Sequence, residues 1–219
     1  MIVTRRALTT TLSLTGLAAL LIGFSPLQLI TEAAAQTAAD VAKPVSLPDM
    51  ALGSDKAPVT ITEFASMTCP HCAVFSEKVF PQIKKEFIDT GKVRYIFREF
   101  PLDIKAAAGS MLARCIANGD AQKYFAVNEL LFRQQGDWVI KDTAETLTRI
   151  GKQAGLSAEQ VDACLKDQSL LDKIAADQKY ASEVLKVDST PTFFINGEKI
   201  KGEITFEELS KKINSLLKS

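Results

Sequence analysis

The sequence predicts an α/β fold in which a β-α-β unit and a β-β-α unit are separated by a run of helices. Three observations predict it: β-branched runs near both ends of the chain, a helical spacing of apolar residues after the first run, and a helical pattern from 105 to 186. Hydrophobic residues make up 47% of the chain, and 26 basic side chains balance 26 acidic ones. This composition is typical of a soluble globular protein, and without a basic surplus we expect no nucleic acid partner.

The first 35 residues have the pattern of an export signal. Arg5 and Arg6 precede a long apolar stretch, and a run of three alanines ending at Ala35 suits cleavage before Gln36. An uncleaved membrane anchor is the alternative, because the apolar stretch is long. The two arginines also partly match a twin-arginine signal, but we favour the ordinary secretory route.

A short leader precedes the β-α-β unit. Residues 36–57 show no sustained periodicity, so we interpret them as a leader into the folded domain. The β-branched runs 58–64 and 93–97 predict two strands. Pro81 is expected to kink the helix between them, and Gly91 to end it. The buried stripe of that helix is predicted by apolar residues spaced four apart: Phe75, Val79, Ile83 and Phe87.

A helical subdomain is predicted between the two units. Ser157 with Gln160 fits a capping box at the start of one helix. We expect residues 105–186 to form an inserted all-helical subdomain within a domain built from 58–104 and 187–219. Gly, Asp and Ser residues divide the insertion into the segments 106–117, 121–133, 144–154, 157–165 and 170–185.

The closing β-β-α unit begins with a hairpin. Residues 192–195 are β-branched and aromatic, and the Asn-Gly pair after them is the strongest short signal for a hairpin, here leading into 198–200. A last helix is predicted from Thr205, where Glu208 completes a second capping box.

The motif Cys69-Pro70-His71-Cys72 lies where the first predicted strand turns into the first helix. A thiolate is the nucleophile of disulfide exchange, and free cysteine has a pKa of about 8.5, so a redox centre must stabilise the anion. The helix N-terminus does so through its dipole, and His71 can add a hydrogen bond or positive charge above the sulfur. Cys69, on the exposed side of the turn, is then the attacking thiol and Cys72 the resolving one. A stabilised thiolate favours the reduced enzyme, which makes the disulfide form an oxidant.

Other roles for this motif fit the sequence less well. A structural zinc site needs four Cys or His ligands, but the chain has 1 histidine and its other two cysteines stand alone. A cysteine protease needs a histidine from elsewhere in the chain to act as its base, and the chain has no other histidine. A purely structural disulfide that closes a loop of four residues would restrict the unfolded chain little. We therefore favour redox chemistry and expect no metal and no cofactor.

Cys115 and Cys164 are the remaining cysteines. Four cysteines allow three pairings, and the separations along the chain favour Cys69 with Cys72 and Cys115 with Cys164. Two buried free thiols are the alternative for the second pair, because each lies among apolar residues of a predicted helix.

Three stretches of the chain match the pattern of a known family. They are the strand 58–64 leading into Cys-Pro-His-Cys, the segment Arg98-Glu99-Phe100-Pro101-Leu102, and the segment Ser189-Thr190-Pro191-Thr192-Phe193. On these residues the chain resembles the DsbA-like thiol:disulfide oxidoreductases, which have a thioredoxin fold with a helical insertion. The match includes both ends of that fold.

The resemblance implies a role for each residue around the motif. It makes Cys69 the nucleophile and Cys72 the resolving cysteine, both tuned by Pro70 and His71. Glu63 matches the family's buried acid beneath the active site, which is proposed to help proton movement at Cys72. From its strand position alone, Glu63 could equally face solvent.

The resemblance also assigns residues farther along the chain. Thr190 and Pro191 match the loop facing the disulfide, where the family has a cis-proline and a backbone that pairs with extended substrate. Threonine departs here from the valine common in the best-known oxidants and also occurs in isomerases. A Cys115–Cys164 bridge would resemble the second, structural disulfide of some DsbA-like proteins, and a regulatory role for it stays open.

The function implied is that of an exported, periplasmic oxidant that passes its active-site disulfide to reduced or unfolded proteins through a mixed disulfide at Cys69. A membrane quinone reductase resembling DsbB would reoxidise it, and the protein would act as a monomer. A disulfide isomerase or reductase of the same fold is the first alternative, although such proteins commonly dimerise through an added N-terminal domain for which the leader leaves no room. A peptide-binding holdase with incidental cysteines is the second alternative.

Overall fold

The structure, a computed structural model, describes residues 37–43 and 45–218. The export signal predicted over residues 1–35 lies outside this range. Within the range, no helix is both long enough and apolar enough to cross a membrane.

A mixed sheet of five strands forms the centre of the fold. The strands follow the order β1-β3-β2-β4-β5 across the sheet, and only the β2–β3 pair is parallel. The predicted α/β class, with a β-α-β and a β-β-α unit, is confirmed. The strands in chain order are β1 Met50–Leu52, β2 Val59–Ala65, β3 Val93–Glu99, β4 Thr192–Ile195 and β5 Glu198–Lys201.

Helices pack on both faces of this sheet. Helix α1 covers residues 70–88 and connects β2 to β3, and α8 follows β5. The six helices α2 to α7 lie between β3 and β4 and are called the helical insertion below. Both predicted capping boxes, at Ser157 and Thr205, are confirmed. The remaining helices are α2 Ile104–Ala117, α3 Ala121–Arg133, α4 Gln135–Trp138, α5 Thr143–Gln153, α6 Ala158–Leu165, α7 Gln168–Glu183 and α8 Phe206–Leu216.

The segment 36–57 contributes a strand to the sheet, which its interpretation as a leader did not include. Residues 37–42 are helical, and β1 pairs antiparallel with β3 at the sheet edge. Met50 and Leu52 are both buried in the main core. A strand of three residues is too short to show an alternating pattern, so it could not be predicted from the sequence.

Helix α1 is irregular on both sides of Pro81, where the sequence predicts a kink. Proline has no N–H to donate to the carbonyl four residues earlier, and wider turns accommodate the missing bond. Phe75, Ile83 and Phe87 nevertheless face the core as predicted. The helix alternates between α-helical turns at Pro70–Val74 and Phe80–Ile83 and π-helical turns at Phe75–Val79 and Lys84–Ile88.

The main core lies between one face of the sheet, α1, α8 and the insertion. Its aromatic part brings three elements together: Phe80 of α1 and Phe125 of α3 lie 4.9 and 6.0 Å from Tyr95 of β3, measured between ring centroids. A smaller core on the opposite face joins Phe64 and Phe194 to the end of α7. Helix α3 of the insertion therefore reaches the sheet directly beside α1.

Candidate active site

Cys69 and Cys72 lie at the N-terminus of α1. Cys69 is the N-cap residue, with extended backbone angles of φ −77° and ψ 119°. Pro70 occupies the first turn, where its missing N–H costs no hydrogen bond and its fixed φ suits a helix. Both cysteines are free thiols, with exposures of 4% for Cys69 and 1% for Cys72. Cys69, which was predicted on the exposed side of the turn, is therefore only slightly more exposed than Cys72.

The loop before Cys69 is held by the helical insertion. The side-chain amide of Gln135 in α4 donates to the carbonyl oxygens of Met67 and Cys69, at 2.9 and 3.0 Å. The Thr68 hydroxyl donates to the Asp103 carboxylate, which caps α2, at 2.7 Å. The sequence did not point to Gln135, because one glutamine in a four-residue helix carries no pattern.

The surroundings of Cys69 favour its thiolate. A hydrogen bond from the Cys72 thiol gives the largest stabilisation, and two backbone N–H groups at the start of α1 add to it. These bonds lower the pKa of Cys69 to about 5, although burial acts in the opposite direction. Burial raises the pKa of Cys72 far above its usual range, and the charges of Glu63 and Cys69 raise it further. At neutral pH the reduced pair is one thiolate and one thiol.

The His71 ring contacts Glu203. Its Nδ1 atom pairs with the Glu203 carboxylate, and the two side chains are 60% and 63% exposed. It is the backbone N–H of His71, at the helix N-terminus, that helps to lower the Cys69 pKa. The contribution of the His71 ring to the thiolate stays a prediction. Glu203 lies in the loop between β5 and α8. No pattern in the sequence indicated that it would contact the motif.

Glu63 is buried beneath the cysteines. It is 3% exposed on β2, and the Tyr95 hydroxyl on β3 donates to its Oε2 atom. Burial raises the pKa of Glu63 to about 8; the Tyr95 bond opposes this shift and the Cys69 charge adds to it. The alternative in which Glu63 faces solvent is excluded. Tyr95 was not singled out from the sequence, where it is one aromatic residue in a strand.

The Thr190–Pro191 loop faces Cys69. The Thr190–Pro191 peptide bond is cis, and the Cys69 thiol donates to the Thr190 carbonyl oxygen at 3.3 Å. The loop leads directly into β4, so the sheet fixes its position opposite the helix N-terminus. A backbone segment at this place can pair with an extended chain brought to Cys69.

Cys115 and Cys164 form a disulfide between α2 and α6, with a Cα–Cα distance of 6.0 Å. Neither residue is among the contacts of the Cys69 motif given above. Across residues 37–43 and 45–218, no cluster of three or more His, Cys, Asp or Glu side chains is arranged to hold a metal ion.

The arrangement combines four chemical functions at one helix end. Cys69 supplies a stabilised thiolate, Cys72 a buried thiol, Glu63 a carboxyl group that changes protonation near neutral pH, and Thr190 a backbone acceptor. Together they suit thiol-disulfide exchange with a protein thiol.

Comparison with known proteins agrees with this chemistry. A family model described as Thioredoxin matches residues 46–215. The chain is similar to the crystal structure of alpha-DsbA1 from Wolbachia pipientis, with 34% identity and a TM-score of 0.74 over 81% of this chain and 94% of that one. It is 30% identical over 176 residues to Disulfide bond formation protein D of Bacillus subtilis, which is 76% of each chain.

A relative from Rickettsia bellii, provisionally named a protein-disulfide oxidoreductase, is 34% identical over 150 residues, or 68% of this chain and 57% of the relative. The chain thus spans less than two thirds of the length of the rickettsial proteins that it matches.

Proposed function

The chain belongs to the DsbA-like protein-disulfide oxidoreductases of the thioredoxin fold, and on this premise we propose that it is an exported oxidant that donates the Cys69–Cys72 disulfide to folding proteins. The observation that carries the proposal is the difference between the two cysteines. Hydrogen bonds at the helix N-terminus lower the pKa of Cys69 to about 5. A reduced form stabilised in this way makes the disulfide form a strong oxidant.

Donation proceeds in two exchange steps. A substrate thiolate attacks the Cys69 sulfur, the Cys69–Cys72 bond breaks, and Cys72 leaves and takes up a proton. A second substrate thiolate then attacks the substrate sulfur of the mixed disulfide, which forms the substrate disulfide and releases Cys69 as its thiolate. Two electrons pass from the substrate thiols to the enzyme disulfide. Glu63 is suited to supply the first proton, because its pKa of about 8 keeps it mostly protonated at neutral pH.

The substrates proposed are reduced or unfolded exported proteins. An extended chain would lie along the Thr190 backbone, which already accepts a hydrogen bond from Cys69. The pattern of residues 1–35 supports export to the periplasm. A DsbB-like membrane quinone reductase is proposed as the reoxidising partner, and this step is supported by family membership alone.

The first test is the equilibrium of the Cys69/Cys72 pair in defined glutathione buffers, with Cys115 and Cys164 left intact. We expect a potential well above that of thioredoxin, which is about −270 mV. The Cys69→Ser variant should not oxidise a reduced substrate protein. A potential near the thioredoxin value would contradict the proposed function as an oxidant and would favour a reductase or an isomerase.

A further inference from the structure

A narrow cavity reaches the buried Glu63 from the protein surface. It lies between α1, β3 and α3, and Glu63 lies at its buried end. Partly exposed Ser76 and exposed Glu129 lie at its mouth. The cavity offers about 20 Å³ to water, and one ordered water needs roughly 10–15 Å³ by the same measure. Its walls are aromatic: Phe75, Phe80, Tyr95, Phe97, Phe125 and Phe132.

Asn128 of α3 is the other buried polar side chain in this cavity. It is 3% exposed, and neither its Nδ2 nor its Oδ1 atom has a hydrogen-bond partner among the described residues. The neighbouring Tyr124 donates its hydroxyl proton to Glu99 at 2.6 Å, so it has none left for the Asn128 oxygen. Buried amide groups without a partner are rare because each costs about 1–3 kcal/mol, and ordered water is a common partner. The Asn128 oxygen therefore needs a hydrogen-bond donor that no described residue supplies.

We propose that Asn128 is a positioning residue that binds a water molecule in this cavity, and that this water carries protons between Glu63 and solvent during the reactions of Cys72. The proposal rests on the proposed function, because it concerns the proton that Cys72 gains or loses in disulfide exchange. It gives the helical insertion a part in the chemistry of the motif, since Asn128 lies on α3.

The charges around Glu63 suit this route. The ionisable groups that face it are Tyr95 from β3, Cys69 and Cys72 from α1, and Glu129 at the cavity mouth. Burial raises the pKa of Tyr95 well above its usual value, so its hydroxyl stays a donor to Glu63 and does not release a proton. Glu129 pairs with Arg133 on the surface. Of the ionisable groups named here, Glu63 is thus the buried one whose pKa lies near neutral pH.

Oxidation of the reduced protein by oxidised glutathione separates the relevant steps. The Cys69 thiolate first attacks glutathione disulfide, which forms a mixed disulfide and releases one glutathione thiolate. Glu63 next releases its own proton to solvent through the proposed water. The Glu63 carboxylate then takes the proton of Cys72, whose thiolate attacks the Cys69 sulfur, closes the enzyme disulfide and expels the second glutathione thiolate. Only the closing step depends on this route, so the first step is an internal control.

We expect Asn128→Leu, which keeps the shape but not the hydrogen bonds, to slow the closing step at least fivefold in rapid acid-quench experiments at pH 7.5. The rate of the first step should stay within twofold of the parent rate. Asn128→Ser retains a donor and an acceptor and should restore most of the closing rate. Val127→Ala, a buried change on the same helix that does not line the cavity, should leave both rates unchanged.

An unchanged closing rate in Asn128→Leu would overturn the proposal, as would equal slowing of both steps or the same slowing in Val127→Ala. If the Asn128→Leu variant does not fold, a high-resolution crystal structure of the parent protein tests the proposal instead. We expect one water within hydrogen-bond distance of Asn128, and a cavity without water would overturn the proposal. Failure of the proposed function is a separate result, because it would appear as a low potential with the first and closing steps both measurable.

Discussion

At the scale of single residues, the motif works because its two sulfur atoms have different neighbours. Cys69 receives hydrogen bonds from Cys72 and from the helix N-terminus, whereas Cys72 has the buried Glu63 beneath it. The same burial that disfavours a charge on Cys72 raises the pKa of Glu63 to about 8. The reduced site therefore carries its negative charge on Cys69, the sulfur that we propose to meet substrate.

Replacing Glu63 with Gln should remove one source of pH dependence from the stability of the reduced protein. The native pKa of Glu63 is about 8, whereas an unfolded glutamate titrates at about 4.3. Between these values the native state holds a proton that the unfolded state releases, so stability falls as pH rises through this window. Urea unfolding should show stability close to the parent value at pH 4 and a gain of at least ~1 kcal/mol at pH 8.

Glu129→Gln is the matched control for this measurement, because Glu129 is exposed and paired with Arg133. Its pH profile should follow that of the parent. Parallel profiles for Glu63→Gln and the parent would show that Glu63 is not a protonated buried acid in the native state.

Sequence alone identified the residues with a local signature and missed those that meet the site from other elements. The spacing of Cys69 and Cys72 before an amphipathic helix was enough to place both at a helix N-terminus. Glu63 could be assigned only through the family, because a single acid in a strand does not reveal which face is buried. Glu203 and Gln135 reach the motif across the fold, and no pattern along the chain encodes such contacts.

At the scale of elements, long amphipathic segments were predictable and short ones were not. The five helices expected in the insertion are present, because each has caps and an apolar stripe that repeat over several turns. The missed elements are the helical residues 37–42, α4 and β1; α4 and β1 have only 4 and 3 residues. Their positions are set by packing on the sheet and the motif loop, which periodicity does not record.

The α5–α6 contact in the insertion should depend on the absence of a side chain at Gly151. A Cβ atom built there would lie 2.3 Å from Cγ2 of Val161 on α6. Gly151→Ala should therefore destabilise the protein by about 1–3 kcal/mol in chemical denaturation, despite the better helix propensity of alanine.

Gly136 of α4 provides the comparison, since a Cβ atom there would meet nothing within 4 Å. Gly136→Ala should be neutral or stabilising by up to about 1 kcal/mol. If Gly151→Ala were as stable as Gly136→Ala, the close approach of the two helices would be wrong.

At the scale of the whole molecule, a buried ion pair ties the sheet, the insertion and the N-terminal segment together. Arg114 of α2 donates from Nε and Nη2 to the carboxylate of Glu99 at the end of β3, at 2.5 and 2.8 Å. Its Nη1 donates to the Pro48 carbonyl oxygen at 2.9 Å, just before β1. Tyr124 of α3 donates to the same carboxylate. Glu99 lies in one of the family-like stretches, but the sequence did not show its partners.

Removing one member of this pair should cost far more than removing a surface pair. Arg114→Leu leaves the Glu99 carboxylate buried and uncompensated, so we expect a loss of about 3–5 kcal/mol in urea unfolding. The double change Arg114→Leu with Glu99→Gln removes the stranded charge and should recover part of that loss. Arg133→Leu breaks the exposed pair with Glu129 and should cost no more than about 1 kcal/mol. Equal losses of stability for the two arginine variants would contradict a stabilising role for the buried Arg114–Glu99 ion pair.

The glutathione equilibrium of the folded Arg114→Leu variant should match that of the parent, because the Arg114–Glu99 pair contacts neither Cys69 nor Cys72. The ion pair would then set the stability of the protein without setting its redox potential.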